Sequence, residues 1–370
     1  MASKPALLPS AEFRNELEGL GGSSASRCYQ CATCSSVCEL APDGAPFPRR
    51  QMHLAQWGLA DRLAADPAVW LCHQCNDCTE RCPRDAKPGD VMQVVRALTI
   101  AHLATPPAMG KLVANALTTW PLLIGLPIVF WVAVLYAVHG LTIPKAPLLY
   151  SNFVPYWLIY VVFFSVTGLV GLVTLTSATR FWKLLGTGAS RSGSFLSHLI
   201  PVLIEIMTHK RFDKCGTARP RKTGHLALFW GFVGAAITSG LLVVDLYILK
   251  SPMPLALTHP FKILGNVSAV LLVVGVVMLV SNRTAKDSTV GASTSYDNFF
   301  MSVVALVVFS GCIVELARLA FDPKLACYLY IGHLAVVMTL FLTFPYSKFA
   351  HFLYRTLAMV HERMTTGVKD

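Results

Sequence analysis

Six stretches of the sequence are apolar and long enough to cross a lipid bilayer, which takes about 20 residues of helix. Backbone N–H and C=O groups find no water in lipid, so a single spanning segment of this length must be a helix. The sequence is 54% apolar and only 14% charged, unlike a soluble enzyme. The predicted spans lie near residues 118–139, 156–179, 225–249, 261–281, 298–320 and 327–349.

Lysine and arginine accumulate in alternate loops, and such loops stay on the cytoplasmic side of a membrane. The basic residues of one side are Arg180, Lys183, Arg191, Lys210, Arg211, Lys214, Arg219, Arg221, Lys222, Arg283, Lys286, Lys348 and Arg355. The other loops hold little beyond Lys145, Lys250 and Lys324. We therefore expect a multi-pass protein of the cytoplasmic (inner) membrane with both termini inside. The net charge of +11 then reflects topology, and no motif predicts nucleic-acid binding.

Eight of the eleven cysteines lie in two runs within the first 110 residues, RCYQCATCSSVCELAP and LCHQCNDCTERCPRD. Both runs have the spacing C-x2-C-x2-C-x3-C, in which three thiolates bind one [4Fe-4S] cluster and the fourth binds the neighbouring cluster. The predicted ligands of one cluster are Cys28, Cys31, Cys34 and Cys82. Those of the other are Cys72, Cys75, Cys78 and Cys38.

Two other uses of these cysteines are less favoured by their pattern. Structural zinc sites usually pair two-cysteine knuckles and do not need a third close cysteine. Disulfides are rare in the reducing cytoplasm, where the charge pattern places this region. Two iron-sulfur clusters are therefore the predicted cofactors.

The segment between the two runs contains 33 residues, and its apolar residues recur at helical spacing. A small βαβ ferredoxin has no room for such an insert, so the sequence predicts a helical two-cluster ferredoxin domain. Another helix should begin at Pro88 and Gly89 and end before Pro106 and Pro107. The predicted fold is all-α, with a ferredoxin domain over residues 1–108 and a six-helix transmembrane domain over residues 109–370.

Histidines near the ends of the spans are candidate haem ligands. Two imidazoles from facing helices at one depth are what a bis-histidine b-type haem requires. His225 opens the third span and His351 follows the last, so they are the predicted pair for an inner haem. His333 lies inside the last span, where an ionisable group is by default functional. We expect one helix to carry both His333 and His351, because their 18-residue separation is five whole turns, about 27 Å, which places both rings on one face of the helix.

Charged residues inside the predicted spans are candidates for quinone chemistry. Asp245, Glu315 and Arg318 lie towards the outer ends of the third and fifth spans. A charge in lipid costs about 2.5–3.5 kcal/mol unless it is paired or solvated. One interpretation is a structural Glu315–Arg318 pair, with Arg318 contacting a haem propionate as a variant. The other is that Glu315 or Asp245 transfers protons for a quinone beside an outer haem.

The motifs resemble known electron-transfer families. The segment HLAVVMTLFLTFPYSKFAH is similar to the final helix of the haem-b gamma subunit of respiratory nitrate reductases and to the E subunit of heterodisulfide reductases. The cysteine-rich part resembles the C subunit of heterodisulfide reductases. Both parts in one chain, with the runs CYQCATCSSVC, PFPRRQMHLAQWGL and WLCHQCNDCTERCPRDAKPGDVMQ, resemble the membrane subunit of quinone-interacting membrane-bound oxidoreductase (Qmo) complexes.

The resemblance implies electron transfer between membrane menaquinone and flavin-containing soluble subunits, which in turn serve adenylylsulfate reductase in dissimilatory sulfur metabolism. It also implies two haems b, with His333 a ligand of the outer one. The family's second outer histidine corresponds here to Ala235. The remaining candidates for that ligand are His139 and His259, unless the outer haem is five-coordinate or absent.

Two other functions remain open from the sequence. One is a heterodisulfide-reductase-like membrane subunit that serves a different thiol or sulfur substrate. The other is a non-catalytic membrane anchor whose clusters sense redox state.

Overall fold

The computed structural model describes residues 8–41, 46–145, 148–187, 190–214, 219–251, 253–285, 291–320 and 322–366. These residues form helices and contain no strand, which confirms the predicted all-α class. Six helices among them have the length and composition to cross a membrane. The chain is therefore built as a multi-pass membrane protein.

The N-terminal end of the chain forms the cysteine-rich region, which we define as the described residues before residue 104. Its helices are α1 Ala11–Leu17, α2 Thr33–Ser36, α3 Arg49–Gln56, α4 Ala60–Ala64, α5 Ala68–Leu71, α6 Asp77–Glu80 and α7 Pro88–Leu103. Helices α3 to α5 occupy the segment between the two cysteine runs, as predicted. Helix α7 begins at Pro88, whose missing N–H suits the first turn of a helix.

The remaining helices form a bundle and its connections. They are α8 Pro107–Ala114, α9 Ala116–His139, α10 Tyr150–Phe153, α11 Tyr156–Leu185, α12 Phe195–Thr208, α13 Arg219–Val244, α14 Pro260–Thr284, α15 Ser295–Ala320, α16 Pro323–Thr343 and α17 His351–Thr366. The spans are α9, α11, α13 with the π-helical turn Asp245–Leu249, α14, α15 and α16. All six predicted spans are thus present, with ends shifted by a few residues.

Helix α16 is the central helix of the bundle. The most apolar part of its span is 44% buried inside the protein, against 6% for that of α13. Thr339 of α16 donates a hydrogen bond to the carbonyl oxygen of Leu123 on α9, at 3.1 Å. Apolar side chains on the outer helices are largely exposed, for example Leu172 and Val270. Such exposure of apolar side chains suits lipid rather than water.

The expectation that one helix carries both His333 and His351 is wrong. Helix α16 ends at Thr343, two short 3-10 turns follow, and α17 begins at His351. Pro345 lacks the N–H that a continuous helix needs at this point. Ser347 is extended, with φ −98° and ψ −178°. The two histidines therefore belong to different helices.

The cysteine-rich region packs on one end of the bundle, which we call the domain side; the opposite end is the far side. The rings of Trp70 and Tyr354 stack with centroids 4.7 Å apart, and Phe181 meets Tyr354 edge-on at 5.0 Å. The hydroxyl of Tyr346 donates to the carbonyl oxygen of Thr105 at 2.7 Å. The ring contacts join α5 to α11 and α17, and they anchor the region directly on the bundle.

Helix α12 lies at the domain side and is too short to span. Leu196, Ile200 and Ile204, four residues apart, are exposed on one face, whereas Val202 on the other face is buried. This pattern is typical of a helix that lies in the membrane interface.

Candidate redox site

The two cysteine runs fold into loops with the same backbone conformation. In each loop, the residues on either side of the second cysteine have positive φ. They are Gln30 (60°) and Ala32 (72°) in the first loop, and Gln74 (54°) and Asn76 (66°) in the second. Non-glycine residues seldom adopt this conformation, so its repetition marks two built sites. A short helix then follows in each loop and carries the third cysteine.

The structure brings Cys82 of the second run to the first three cysteines of the first run. Cys28, Cys31, Cys34 and Cys82 line one small cavity together. Burial, with repulsion from Cys28 next, raises the pKa of the Cys34 thiol. The backbone N–H of Ala86 points to Cys82 Sγ at 3.4 Å. This is the grouping that cross-ligation requires.

The other four cysteines form the second set. Burial, followed by repulsion from Cys72 and Cys75 and then Cys38, raises the pKa of Cys78. Burial raises the pKa of Cys38 to about 11, and the backbone N–H of Leu40 opposes this rise. The four thiols of this set therefore lie close enough to one another to interact electrostatically.

The backbone around the cysteines suits iron-sulfur clusters. Backbone N–H groups approach the thiols, for example from Gln74 to Cys72 Sγ at 3.3 Å. Such hydrogen bonds to cysteine sulfur are typical of iron-sulfur sites.

A cavity of about 660 Å³ separates the second cysteine loop from the domain side of the bundle. Its wall includes Cys72 and Cys75 at one end and the rings of His225 and His351 among the bundle helices. Its volume lies within the range of about 300–1,000 Å³ that is usual for ligand sites. One cavity thus joins the candidate cluster ligands to the candidate haem ligands.

The rings of His225 and His351 lie next to each other in the wall of this cavity. Their centroids are 6.0 Å apart and their planes make an angle of 85°. Metal–imidazole bonds of about 2.0–2.1 Å on both sides of one ion place ring centroids roughly 6–7 Å apart. The structure therefore brings the predicted inner pair to the separation that one metal ion requires.

The Nδ1 atoms of the two rings are already hydrogen-bonded. His351 Nδ1 pairs with the carbonyl oxygen of Lys348, and His225 Nδ1 lies 2.7 Å from His209 Nε2. Metal-binding histidines commonly hold the second ring nitrogen in this way, which leaves Nε2 for the metal. Burial, with Arg355 next, lowers the pKa of His351 to about 3, so its imidazole is neutral, as a ligand must be.

Three arginines fasten the second cysteine loop to the cavity wall. Arg355 on α17 donates to the carbonyl oxygens of Trp70 at 2.9 Å and Cys72 at 2.6 Å. Arg221 on α13 donates to the carbonyl oxygens of Gln74, at 2.8 Å, and His73. Arg96 on α7 donates to the carbonyl oxygen of Val69 and to the side-chain oxygen of Gln74, each at 3.1 Å. The loop carbonyl groups are thereby satisfied by charged donors.

Replacing Arg355 with methionine should loosen the cysteine-rich region from the bundle. The loop carbonyl groups would lose charged hydrogen bonds, at a cost of roughly 2–4 kcal/mol. We expect a lower midpoint of thermal unfolding and faster proteolysis near residue 104. The matched control is Arg62→Met, since Arg62 is exposed on α4. Equal proteolysis rates in the two variants would contradict the anchoring role.

The far side does not bring the predicted outer ligands together. His333 Nδ1 lies 2.8 Å from Ser310 Oγ. His139 Nε2 pairs with the carbonyl oxygen of Phe153 at 2.5 Å. His259 Nδ1 accepts from the N–H of Phe261 at the start of α14. Among the described residues, neither His139 nor His259 is in ring contact with His333. A second ligand for an outer haem is therefore not evident in this part of the chain.

The two candidate carboxylates on the far side differ in their surroundings. Asp245 is fully buried, and one oxygen accepts from Ser251 Oγ at 2.8 Å. Its other oxygen, Oδ2, has no hydrogen-bond partner among the described residues. Glu315 instead binds Lys262 at 2.8 Å and Arg318 at 3.5 Å. The structure thus contains the expected Glu315–Arg318 pair and adds a lysine to it.

Several residues of the site were not predicted from the sequence. His73 is buried beside Cys72, and burial followed by Arg355 lowers its pKa, which keeps it neutral. His209 contacts His225. Lys262 was not connected with Glu315, because the two lie on different helices. The spacing of residues in the sequence does not indicate contacts between side chains that lie far apart along the chain.

Comparison with known proteins places the chain in a family. Residues 24–86 match the model of the 4Fe-4S dicluster domain. Residues 108–369, well over half of the chain, match the model of citrate utilization protein B. The chain belongs to the citrate utilization protein B family. The N-terminal match shows that this member carries an iron-sulfur dicluster ferredoxin domain.

Similar proteins match different fractions of this chain. Citrate utilization protein B of Escherichia coli is 26% identical over 356 residues, which are 90% of this chain and 88% of that protein. The C subunit of the H2:CoB-CoM heterodisulfide, ferredoxin reductase of Methanothermobacter thermautotrophicus is 40% identical over 88 residues, 23% of this chain and 46% of that protein. A protein of Archaeoglobus profundus that resembles the C subunit of heterodisulfide reductase is 37% identical over 102 residues, 27% of this chain and 52% of that protein.

The chain therefore spans about half the length of the heterodisulfide reductase relatives that it matches. Those relatives are iron-sulfur subunits of an oxidoreductase complex, which agrees with the predicted electron-transfer class. No solved structure matches the chain.

Proposed function

We propose that this chain is the electron-transfer membrane subunit of a quinone-linked oxidoreductase complex. It would bind haem b and two [4Fe-4S] clusters and relay electrons between menaquinone and flavin-containing soluble subunits. The proposal is supported chiefly by one cavity. Its wall includes both Cys72 and Cys75 and the His225–His351 pair. It connects the iron-sulfur domain to the interior of the bundle without an intervening protein layer.

The residues present fit a haem with two axial histidines. The proposed ligands are His225 and His351, held by His209 and the Lys348 carbonyl group. The charged residues that line the cavity are Arg96, Arg211, Arg221, Arg283, Arg355, Lys348, Glu205 and Asp297. Six are basic and two acidic, an excess that suits a ligand with carboxylate groups such as haem propionates. When bound, the haem and the clusters supply one-electron chemistry that protein side chains lack.

The protein groups orient and protect these cofactors. Trp70, Phe181 and Tyr354 close one side of the second cysteine loop with buried aromatic surface. Arg221 and Arg355 fix the loop backbone relative to α13 and α17. Helix α13 contains His225, and α17 begins at His351. Rigid placement matters because small displacements of ligand groups weaken a preorganised site.

The proposed orientation places the domain side in the cytoplasm. An even number of spans puts the cysteine-rich region and α17 on the same side, and they are in contact. Basic residues cluster at this end, including Arg180, Arg191 and Arg211. Such clusters mark cytoplasmic loops in a cell's inner membrane.

We place quinone protonation on the far side, at Asp245 or Glu315. A quinol releases protons with its electrons, so its site needs a group that accepts a proton. Asp245 has a buried oxygen without a partner in the described part of the chain, whereas Glu315 is held by Lys262 and Arg318. The two carboxylates therefore make separable predictions. His333, near the middle of α16, remains our proposed ligand for an outer haem, with His139 and His259 as its candidate partners.

We expect a menaquinol analogue to reduce the b-type haem of the purified protein in vesicles, as its visible spectrum would show. Asp245→Asn should keep that spectrum and slow its reduction by about tenfold or more, because a buried proton acceptor is lost. Glu315→Gln is the matched comparison. It should slow haem reduction to a similar extent if Glu315 also accepts protons from the quinol. Unchanged rates in both variants would move the quinone site to the domain side, near His198 and Glu205. A protein without haem that menaquinol does not reduce would instead be an anchor or redox sensor.

The soluble partner has two candidate chemistries. The resemblance to Qmo membrane subunits favours flavoproteins that serve adenylylsulfate reductase in sulfur metabolism. The citrate utilization relative favours a partner acting on a carboxylic acid, because that match extends over 90% of the chain. If the first chemistry holds, adenylylsulfate should reoxidise the reduced complex isolated with its soluble subunits, and two electrons should convert it to sulfite and AMP. If the second holds, a saturated carboxylic acid should instead reduce the oxidised complex, because its dehydrogenation to an alkene releases two electrons and two protons.

A further inference from the structure

The two cysteine sets differ in what they face. Cys72 and Cys75 line the cavity towards the bundle. Cys31 of the first set is exposed, whereas the other nine described cysteines are buried or half-buried. The first set therefore lies at the solvent edge of the protein, and the second lies at its membrane edge.

The rim of the exposed set is aromatic and basic. Tyr29, next to Cys28, is 68% exposed. The Arg84 guanidinium lies over its ring, 4.0 Å from the centroid. Arg49 and Arg84 line the small cavity of the first cysteine set, and no acidic residue does among those that the structure describes there. Arg27 is exposed beside Cys28 and binds Asp85 at 2.9 Å.

This rim has the properties of a protein docking surface. Tyrosine and arginine are enriched among residues that dominate binding energy at interfaces. The cation–π contact holds both side chains in one arrangement, which reduces the entropy lost on binding. An excess of basic groups attracts partners that present carboxylates. Because most of the Tyr29 side chain is exposed, its ring is accessible to such a partner.

We propose that the rim formed by Tyr29, Arg49 and Arg84 is the docking surface for the acidic face of a soluble redox flavoprotein. The proposal rests on the proposed function, since it assigns where the flavoprotein partner binds. The shortest route between that partner and the chain would then pass Cys31. The second cysteine set would face the bundle and take no part in docking.

Binding of two probe proteins tests the surface. Oxidised flavodoxin, a small acidic flavoprotein, should bind the purified full-length chain in nanodiscs at low ionic strength, where the Debye length is about 30 Å. Arg84→Glu should weaken this binding by roughly tenfold and strengthen binding of the basic protein cytochrome c. Tyr29→Ala should weaken flavodoxin binding without affecting the salt dependence. The matched control is Arg62→Glu, a charge reversal on α4, which does not line the first cysteine cavity.

Iron analysis of each variant shows whether the clusters are intact, and Arg84→Gln replaces Arg84→Glu if the latter lacks iron. Equal flavodoxin affinities for the wild type and Arg84 variants would overturn the proposal, as would no binding by the wild type. The measurement uses oxidised proteins and needs no quinol. If menaquinol reduces the chain but flavodoxin binds the Arg84 variants as well as the wild type, only the docking surface is refuted. A chain that binds flavodoxin through Arg84 but is not reduced by menaquinol would refute the proposed function alone.

Discussion

Replacing Cys82 with serine should remove the cluster held mainly by the first cysteine run. The wild type should contain about eight non-haem iron atoms per chain, and the variant about four. Cys82 belongs to the second run by sequence, but it lines the first cavity with Cys28, Cys31 and Cys34. A serine hydroxyl is a weaker ligand than a thiolate, so the first set would lose its closing ligand. Iron and sulfide analysis with EPR spectroscopy would measure the loss.

The reciprocal change provides the control for this result. Cys38→Ser should remove the other cluster, since Cys38 lies with Cys72, Cys75 and Cys78. Cys312→Ser, in the fifth span, should leave the iron content unchanged. If Cys82→Ser removed only the EPR signal of the cluster bound by the second run, the proposed cross-ligation would be wrong.

Replacing either His225 or His351 with alanine should abolish the same b-type component of the visible spectrum. The two ring centroids lie 6.0 Å apart, a separation that would suit one metal ion shared between them. Loss of either imidazole leaves the iron with one axial ligand and ends its low-spin state. Haem content and the redox-difference spectrum of membranes would measure the effect. We expect nearly complete loss of that component.

Two further variants make this prediction specific. His198→Ala, on the interfacial helix α12, should leave the spectrum intact, since His198 lies outside the cavity wall. His209→Ala should keep the haem but shift its potential, because His209 bonds to His225 without facing His351. Disappearance of two different spectral components in His225→Ala and His351→Ala would refute the pairing.

Fusion of the two parts in one chain has a physical consequence. The heterodisulfide reductase relatives match only the iron-sulfur region, whereas the citrate utilization relative matches nearly the whole chain. A covalent connection converts docking into an intramolecular event with a high effective concentration. The arginine contacts of Arg221 and Arg355 then need only orient the cysteine loop, since the chain already keeps it near the bundle.

Features determined by local spacing could be predicted from the sequence alone. The C-x2-C-x2-C-x3-C runs specify two cluster-binding loops, because cluster ligands must recur within a few residues. The six apolar stretches specify spanning helices, because lipid leaves backbone groups no other partner. The match to a 4Fe-4S dicluster domain and the six observed helices confirm both predictions. Binding of iron by the eight named cysteines and of haem by the histidines stays a prediction.

Only the tertiary structure decided how distant residues meet. A proline and an extended serine break the helix between His333 and His351, so their shared face does not exist. His209 reaches His225, Arg355 reaches the loop at Cys72, and Lys262 reaches Glu315 across separations of 16, 283 and 53 residues. These contacts depend on how whole helices pack, and packing is set by many weak apolar contacts together. Sequence periodicity records which face of a helix is buried but not which neighbour covers it.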